Sequence, residues 1–183
     1  FIDAINNGQT VSWGVMTINE NTGAGRPQDA GAWLNYPTYL HSLMQSETTN
    51  SRDWTYTSGG SSFWVPNWNS PNFLARTKAL YDALYNRMNT QSHNGVLFKN
   101  IVDVVEVRHY GQWGEWHAGG YASQPTAYPT GRQPTVPTLD SIISYIVRGN
   151  PDLKTTIIIS AFDSYWLGNT WVDPAVARFA LTI

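Results

Sequence analysis

The sequence predicts an α/β fold, and more specifically part of a (β/α)8 barrel of the TIM type. Residues 101–108 and 155–162 are apolar runs rich in β-branched residues, which is typical of parallel strands buried on both faces. Each run follows a segment with helical spacing of apolar residues, and this alternation predicts right-handed crossovers and a parallel sheet. A doubly wound sheet has the same alternation. We favour the barrel because aromatic and acidic clusters follow three predicted strands, where active-site residues lie in barrels.

The chain opens with the last turns of a predicted helix. Residues 1–8 carry apolar side chains three and four positions apart, with Gly8 just past the helix end. Residues 10–18 then predict a strand because apolar residues alternate along them, and the polar segment 19–29 predicts a loop.

The connection that follows is ambiguous. Within residues 30–58, Trp33-Leu34 and residues 39–44 are interpreted as short helical pieces, and long connections in compact domains are often functional. Residues 63–68 predict a short aromatic strand, in which Pro66 favours a position at the rim over a central one.

The clearest helix begins at Ser70-Pro71, with serine as the N-cap and proline at the first helical position. Apolar residues recur along it at spacings of three and four, so one face should contact a core. This stripe consists of Phe73, Thr77, Leu80, Tyr81, Leu84 and Met88.

The second half continues the alternation. A loop rich in glycine, proline and threonine, residues 118–137, precedes a predicted helix from Leu139 to Arg148 that Gly149 ends. After the strand at 155–162, Asp173-Pro174 predicts the start of another helix, which still runs at residue 183.

The strands can be counted within a barrel. If residues 1–8 are its first helix, then 10–18, 63–68, 101–108 and 155–162 are strands two to five. A complete barrel usually needs about 250 residues. We therefore interpret residues 1–183 as a single, incomplete barrel domain, and expect flanking strands outside both ends of the sequence.

The composition excludes several partners. Charged residues make up 13% of the chain and the net charge is −2, so no basic surface for nucleic acid is expected. No apolar run approaches the roughly 20 residues of a membrane span. The absence of cysteine excludes disulfides, thiolate metal sites and a cysteine nucleophile. Nine tryptophans and ten tyrosines suit a carbohydrate cleft, and the oligomeric state stays open.

The most informative motif spans residues 110–117, Tyr-Gly-Gln-Trp-Gly-Glu-Trp-His, directly after a predicted strand. It places the Glu115 carboxyl group between Trp113 and Trp116. Contact with aromatic faces removes water from a carboxyl group and favours its protonated form, as a general acid requires. Tyr110 and the two tryptophans could stack on a sugar ring while Glu115 protonates a glycosidic oxygen. The alternative interpretation of this motif is a turn in which the tryptophans are packed in the core and the glutamate is solvated.

Two segments together resemble a known family. Residues 65–73, Val-Pro-Asn-Trp-Asn-Ser-Pro-Asn-Phe, and residues 105–117 are similar to a group of largely uncharacterised, exported bacterial (β/α)8-barrel proteins. Those proteins are distantly similar to the retaining glycoside hydrolases of the β-galactosidase type. The match is specific over about fifty residues, counted on these two motifs and the helix between them.

The resemblance implies roles for particular residues. In those hydrolases the acid/base glutamate follows the fourth strand, which is the position of Glu115 in the count above, and the nucleophile follows the seventh, beyond residue 183. Glu115 lies in Gly-Glu-Trp, whereas Asn-Glu is common in that clan. The resemblance also implies a secreted, periplasmic or cell-surface location and a carbohydrate substrate, with no cofactor or metal.

Further candidates surround the motif. Glu106 lies on the same strand face as Arg108, which favours an ion pair, although a second catalytic carboxylate is the alternative. His117 is a candidate for hydrogen bonding to substrate, and His109 for a satisfied position at the rim. A metal site that includes both histidines matches no standard spacing.

Three more candidate substrate-binding residues follow other strands. Asp163 precedes Tyr165-Trp166, which pairs an acid with stacking surfaces, although it could equally cap a turn. Trp64 and Trp68 are either platforms for a sugar or parts of the core.

Three hypotheses about function follow. The first is a glycoside hydrolase that acts on an oligo- or polysaccharide with Glu115 as proton donor. The second is a non-catalytic carbohydrate-binding or extracellular structural protein on the same barrel. The third, a zinc-dependent hydrolase, ranks last because the spacing lacks a metal signature.

Overall fold

A computed structural model describes residues 1–18, 20, 22–23, 25–111, 114–116, 132, 134–149 and 151–157. Within them the helices are α1 (Ile2–Asn6), α2 (Thr38–Gln45), α3 (Pro71–Thr90) and α4 (Val136–Arg148). The strands are β1 (Val11–Trp13), β2 (Gln28–Asp29), β3 (Ala32–Trp33), β4 (Trp54–Ser58), β5 (Ser61–Val65), β6 (Ser92–His93), β7 (Val96–Leu97), β8 (Val102–Val107) and β9 (Thr155–Ile157).

Three parallel strands form one sheet in the order β1, β8, β9. The helix α3 lies between the first two strands in sequence, and α4 lies between the second two, so β–α–β–α–β alternation is confirmed. On one face of the central strand Val105 and Val107 are buried, whereas Val104 and Glu106 on the opposite face are only partly buried. The prediction that this strand is buried on both faces was therefore wrong within the described residues.

The sheet order corrects the count of strands. The strand at residues 63–68 was predicted to be the third barrel strand, between 10–18 and 101–108, but β1 pairs directly with β8. The observed β5 belongs to a separate four-stranded sheet in the order β2, β3, β5, β4. If the parallel strands belong to a barrel, β1 and β8 are consecutive and residues 28–65 form an insertion between them. The three sheets are small and not closed in the part of the chain that is described.

The second sheet contains the ambiguous segment of the sequence. The predicted helical piece at residues 39–44 is confirmed as α2, but Trp33 lies in β3 and not in a helix. The strand β4 was not predicted, and it pairs antiparallel with β5 through a turn at Gly59 and Gly60, both at positive φ. A polar turn with two glycines between alternating residues is a hairpin signal that the sequence does contain.

The two long helices agree with the sequence apart from details. Ser70 caps α3, since its hydroxyl accepts a 3.1 Å hydrogen bond from the Phe73 amide. Most of the predicted stripe is buried, but Leu80 is exposed and Tyr85 lies in the core instead. The helix α4 begins at Val136, three residues earlier than predicted, because Thr135 provides the cap. None of the helices in the described ranges is long and apolar enough to cross a membrane.

Aromatic side chains connect β1, α3 and α4. Trp13 on β1 contacts Tyr81 and Tyr85 of α3, with ring centroids 6.4 and 6.3 Å apart. The Tyr85 hydroxyl donates to the Ile146 carbonyl of α4, and burial raises the pKa of Tyr85 to about 12. These contacts place α3 and α4 against each other beside the parallel sheet.

Gly149 ends α4 directly against Tyr85. A Cβ atom at this position would lie 2.3 Å from Tyr85 Cδ2 and 2.4 Å from Cε2, distances that no real contact shows. We expect Gly149→Ala to lower the free energy of unfolding by about 1–3 kcal/mol, because the ring must shift within a packed interface. Urea unfolding followed by tryptophan fluorescence measures the loss. The exposed neighbour Arg148→Ala is the control, and equal stability of the two variants would contradict the steric argument.

Candidate functional site

The candidate site is the loop that follows the carboxyl end of β8, here called the Glu115 loop (residues 108–116). Four of its described residues have positive φ, namely His109 (85°), Gly111 (83°), Gly114 (69°) and Trp116 (57°). Positive φ is strained for histidine and tryptophan, and such strain concentrates at functional sites when surrounding contacts maintain it. The loop therefore has an unusual backbone at the end of the central parallel strand, where ligands bind in α/β folds.

Several hydrogen bonds hold this backbone in place. Trp116 Nε1 donates to the Val107 carbonyl over 2.5 Å, and the Trp116 amide donates to the Tyr110 carbonyl over 3.2 Å. The His109 carbonyl accepts from Thr17 Oγ1 at 2.8 Å and from Trp68 Nε1 at 3.3 Å. The strained residues are thus tied to the end of β8 and to two other parts of the chain.

A second segment, residues 66–70, connects the loop to the helices. Asn67 donates to the Asn50 carbonyl at 2.7 Å and accepts from the Asn69 amide at 3.0 Å. Asn69 Oδ1 accepts from Thr138 Oγ1 at 2.7 Å, near the start of α4. Ser70 caps α3 and also donates to Glu47 Oε1 at 2.9 Å, so Asn67, Asn69 and Ser70 each bond to a distant part of the chain. The structure thus gives the motif at residues 65–73 a role in assembling the framework around the Glu115 loop.

Glu115 itself is half-exposed between two buried neighbours, Gly114 and Trp116. Gly114 lies close to the strand end, because a Cβ atom there would be 2.9 Å from Arg108 Cβ. The combination of positive φ and close approach requires glycine at this position. The predicted ion pair is present, with Arg108 Nε donating to Glu106 Oε2. A carboxylate and an ion pair therefore occupy the same end of the sheet.

The structure places three of the predicted stacking residues in the core. Trp68 is 0% exposed, Trp116 5% and Tyr110 7%. The Tyr110 ring makes edge contacts with both tryptophans, at centroid distances of 5.0 Å to Trp68 and 5.4 Å to Trp116. Trp54 extends this cluster on the other side of Trp68. Because protein atoms cover these rings, their role in this structure is to support the loop and not to face a sugar.

The remaining predicted residues divide into two groups. Trp64 and Glu106 are half-exposed, and Glu106 is engaged by Arg108. Trp113, His117 and Asp163 lie outside the described residues, so the predictions for them stay as they were. Among the described residues no group of three or more histidine, aspartate or glutamate side chains could hold a metal ion.

His109 was predicted to be satisfied at the rim, and the structure buries it in contacts with α3 that the sequence did not predict. Its Nε2 atom forms a 2.8 Å hydrogen bond with Thr77 Oγ1, and its ring contacts Phe73 and Tyr81. Nδ1 has no hydrogen-bond partner among the described residues. Complete burial lowers the pKa of His109 to about 3. The imidazole is therefore neutral at physiological pH and fixes the first strained residue of the Glu115 loop.

This burial predicts that the protein loses stability in acid. Between pH 6.5 and 3 the unfolded histidine binds a proton that the folded one does not, so stability present above pH 6.5 falls as the pH drops. From pH 7 to pH 5 we expect wild type to lose about 2 kcal/mol more than His109→Asn, which does not titrate and tolerates positive φ. Urea unfolding at both pH values measures this difference. Equal losses would contradict the assignment to His109.

A polar cluster that joins β2, α2 and the residue before β4 was also not predicted. The Asp53 carboxylate is buried and accepts hydrogen bonds from Tyr36 Oη, Gln45 Nε2 and, at 2.7 Å, His41 Nδ1. His41 Nε2 lies 3.2 Å from the carboxylate of Asp29. The spacing of these residues in the sequence does not predict this cluster, because its members come from different elements that only the fold brings together.

No family model, curated protein or solved structure matches the chain. The fold, the Glu115 loop, the contacts of His109 and the polar cluster around Asp53 are therefore the structural basis for a functional conclusion.

Proposed function

We propose that this chain is part of a carbohydrate-active barrel enzyme, a glycoside hydrolase in which Glu115 is the general acid/base. The observation that carries the proposal is the strained backbone of the Glu115 loop at the end of the central parallel strand. Evolution retains such strain where a side chain must be presented in one orientation. A carboxyl group is the usual proton donor to a glycosidic oxygen. The sequence resemblance of residues 65–73 and 105–117 agrees with this choice.

The barrel belongs to the same proposal. Two crossover helices, α3 and α4, contact each other beside a parallel sheet whose strand order follows the chain. The sector of a barrel has this arrangement, and in a barrel it would place Glu115 at the catalytic face.

The described residues support particular steps. Glu115 would protonate the leaving oxygen, and the hydrogen bonds of Trp116 and His109 would hold it still during the transfer. Glu106 is bound to Arg108, which favours a positioning role for that pair at the same rim. The nucleophile or base of the reaction is assigned to a carboxylate outside the described residues.

The experiment is an assay of glycan hydrolysis by the full-length protein and by its Glu115→Gln variant. Release of reducing ends from a panel of neutral polysaccharides by wild type, and its loss in the variant, is the expected result. Release that persists unchanged in the variant would overturn the role of Glu115.

A non-catalytic carbohydrate-binding protein is the second candidate. The pairing of Glu106 with Arg108 favours it, because Glu106 lies at the same end of the sheet as Glu115 and is engaged in an ion pair instead of serving as a second catalytic carboxylate. Retention on a polysaccharide without any hydrolysis, and unaffected by Glu115→Gln, would support this alternative.

A further inference from the structure

The mixed sheet β2–β3–β5–β4, in which β3 and β5 are parallel and the other pairs are antiparallel, has two different faces. One face carries Trp54, Tyr56, Phe63 and Val65, which are all buried in the core. The opposite face carries Thr55 and Thr57, both exposed, and the half-exposed Ser62 and Trp64. Thr55 pairs directly with Trp64, and Thr57 with Ser62, so one large aromatic ring lies beside a row of hydroxyl groups.

Trp64 is held in one orientation by the polar cluster. Its Nε1 atom donates to the Asp29 carbonyl over 3.0 Å, and its ring lies against the His41 ring with centroids 4.5 Å apart. His41 is in turn fixed by the buried Asp53 carboxylate, 2.7 Å from Nδ1. A partly exposed tryptophan with an immobilised ring is preorganised for a ligand, because little side-chain entropy remains to be lost on binding.

The charge beside Trp64 narrows the class of ligand. The Asp29 side chain is 56% exposed, and its carboxylate lies 3.2 Å from His41 Nε2. The His41 ring in turn lies against the Trp64 indole. A carboxylate accepts hydrogen bonds from hydroxyl groups and repels anions. An aromatic face beside a carboxylate and serine and threonine hydroxyls matches a sugar ring, which has an apolar face and a hydroxylated edge.

We propose that Trp64, Asp29 and His41 form a binding site for a neutral polysaccharide, here called the Trp64 platform. Trp64 stacks on a sugar ring, Asp29 accepts hydrogen bonds from its hydroxyl groups, and His41, positioned by Asp53, supports both. The ligand class of the platform rests on the proposed function. Trp64 and Asp29 lie on a different sheet from the strand β8 that leads to Glu115, so the platform serves to retain the substrate and not to cleave it.

The test is native electrophoresis of the full-length protein in gels that contain neutral β-glucan, xylan, galactan or mannan. We expect wild type to be retarded by at least one of them. Trp64→Ala should weaken the affinity for that polysaccharide by about tenfold or more. Trp64→Phe keeps a stacking face and should restore most of the retardation, which a general loss of structure would not allow.

The matched control is Tyr39→Ala, since Tyr39 is 57% exposed on α2 but lacks the contacts that orient Trp64. We expect its retardation to equal that of wild type. Equal loss in Tyr39→Ala and Trp64→Ala, no loss in Trp64→Ala, or no retardation of wild type by any of the four polysaccharides would overturn the platform.

The Trp64 platform and the proposed hydrolase activity can be tested independently of each other. Glu115→Gln should abolish hydrolysis and leave retardation unchanged, whereas Trp64→Ala should lose retardation and still hydrolyse a small soluble glycoside that wild type accepts. If retardation depends on Trp64 but wild type hydrolyses no glycan, the Trp64 platform stands and the proposed hydrolase activity is rejected. If hydrolysis depends on Glu115 but Trp64→Ala does not change retardation, the proposed hydrolase activity stands and the Trp64 platform is rejected.

Discussion

Replacing Glu115 with glutamine should lower kcat for glycan hydrolysis by about 10²–10⁴-fold, with little change in affinity for the glycan. Glutamine has nearly the same shape and still hydrogen-bonds, but it cannot deliver a proton to the leaving oxygen. The backbone of the Glu115 loop should stay as it is, because Trp116 Nε1 and the His109 carbonyl hold it through their hydrogen bonds. Steady-state kinetics on the best substrate, together with binding to an intact glycan, measures both quantities.

The control removes the same charge at the end of β8 that is opposite to the Glu115 loop. Asp103 is exposed near the start of β8, and Asp103→Asn should leave kcat within about twofold of wild type. A loss in Asp103→Asn as large as that in Glu115→Gln would point to net charge and not to proton transfer. Full activity of Glu115→Gln would remove the acid/base assignment altogether.

Trp68→Ala should lower the free energy of unfolding by about 3–5 kcal/mol. The side chain is fully buried, contacts Trp54 and Tyr110 edge to face, and donates from Nε1 to the His109 carbonyl. Its removal leaves a large cavity and frees one of the bonds that hold the strained histidine. Since domains are stable by only about 5–15 kcal/mol, the variant should be close to unfolding at 37 °C. Urea unfolding followed by circular dichroism measures the loss.

Trp64→Ala is the matched control, because the two tryptophans lie four positions apart but only Trp68 is buried. We expect it to cost about 1–2 kcal/mol, mostly from the lost contact with His41. A smaller loss in Trp68→Ala than in Trp64→Ala would contradict the view that Trp68 supports the loop from the core.

Part of the fold could be read from local patterns. The cap at Ser70-Pro71 and the stripe along α3 predict a helix because both signals lie within a few residues of one another. The alternation of helices with strands 102–107 and 155–157 predicted the parallel sheet for the same reason. The partner of each strand could not be read in this way, since pairing joins residues about ninety positions apart, as in Val11 and Val102.

The candidate site shows the same division. Glu115 could be singled out because its neighbours in the sequence are unusual, and the Glu106–Arg108 pair follows from the two-residue period of a strand. His109 was missed as a hub because its burial depends on Thr77, Phe73 and Tyr81 of α3. Trp64 and Trp68 could not be told apart, because nothing in their local sequence reports which side of a sheet or loop faces water.

The sequence by itself determined the helices α1, α3 and α4, the apolar strands β1, β8 and β9, and the position of Glu115 just after the central strand. These features depend on periodicity and on neighbours in the chain. The tertiary structure alone decided that residues 61–65 belong to a separate, mixed sheet, that Trp68, Tyr110 and Trp116 are core, and that Asp29, His41 and Asp53 meet. The physical reason is that burial and strand pairing are contacts between distant segments, whose free energy no single segment contains.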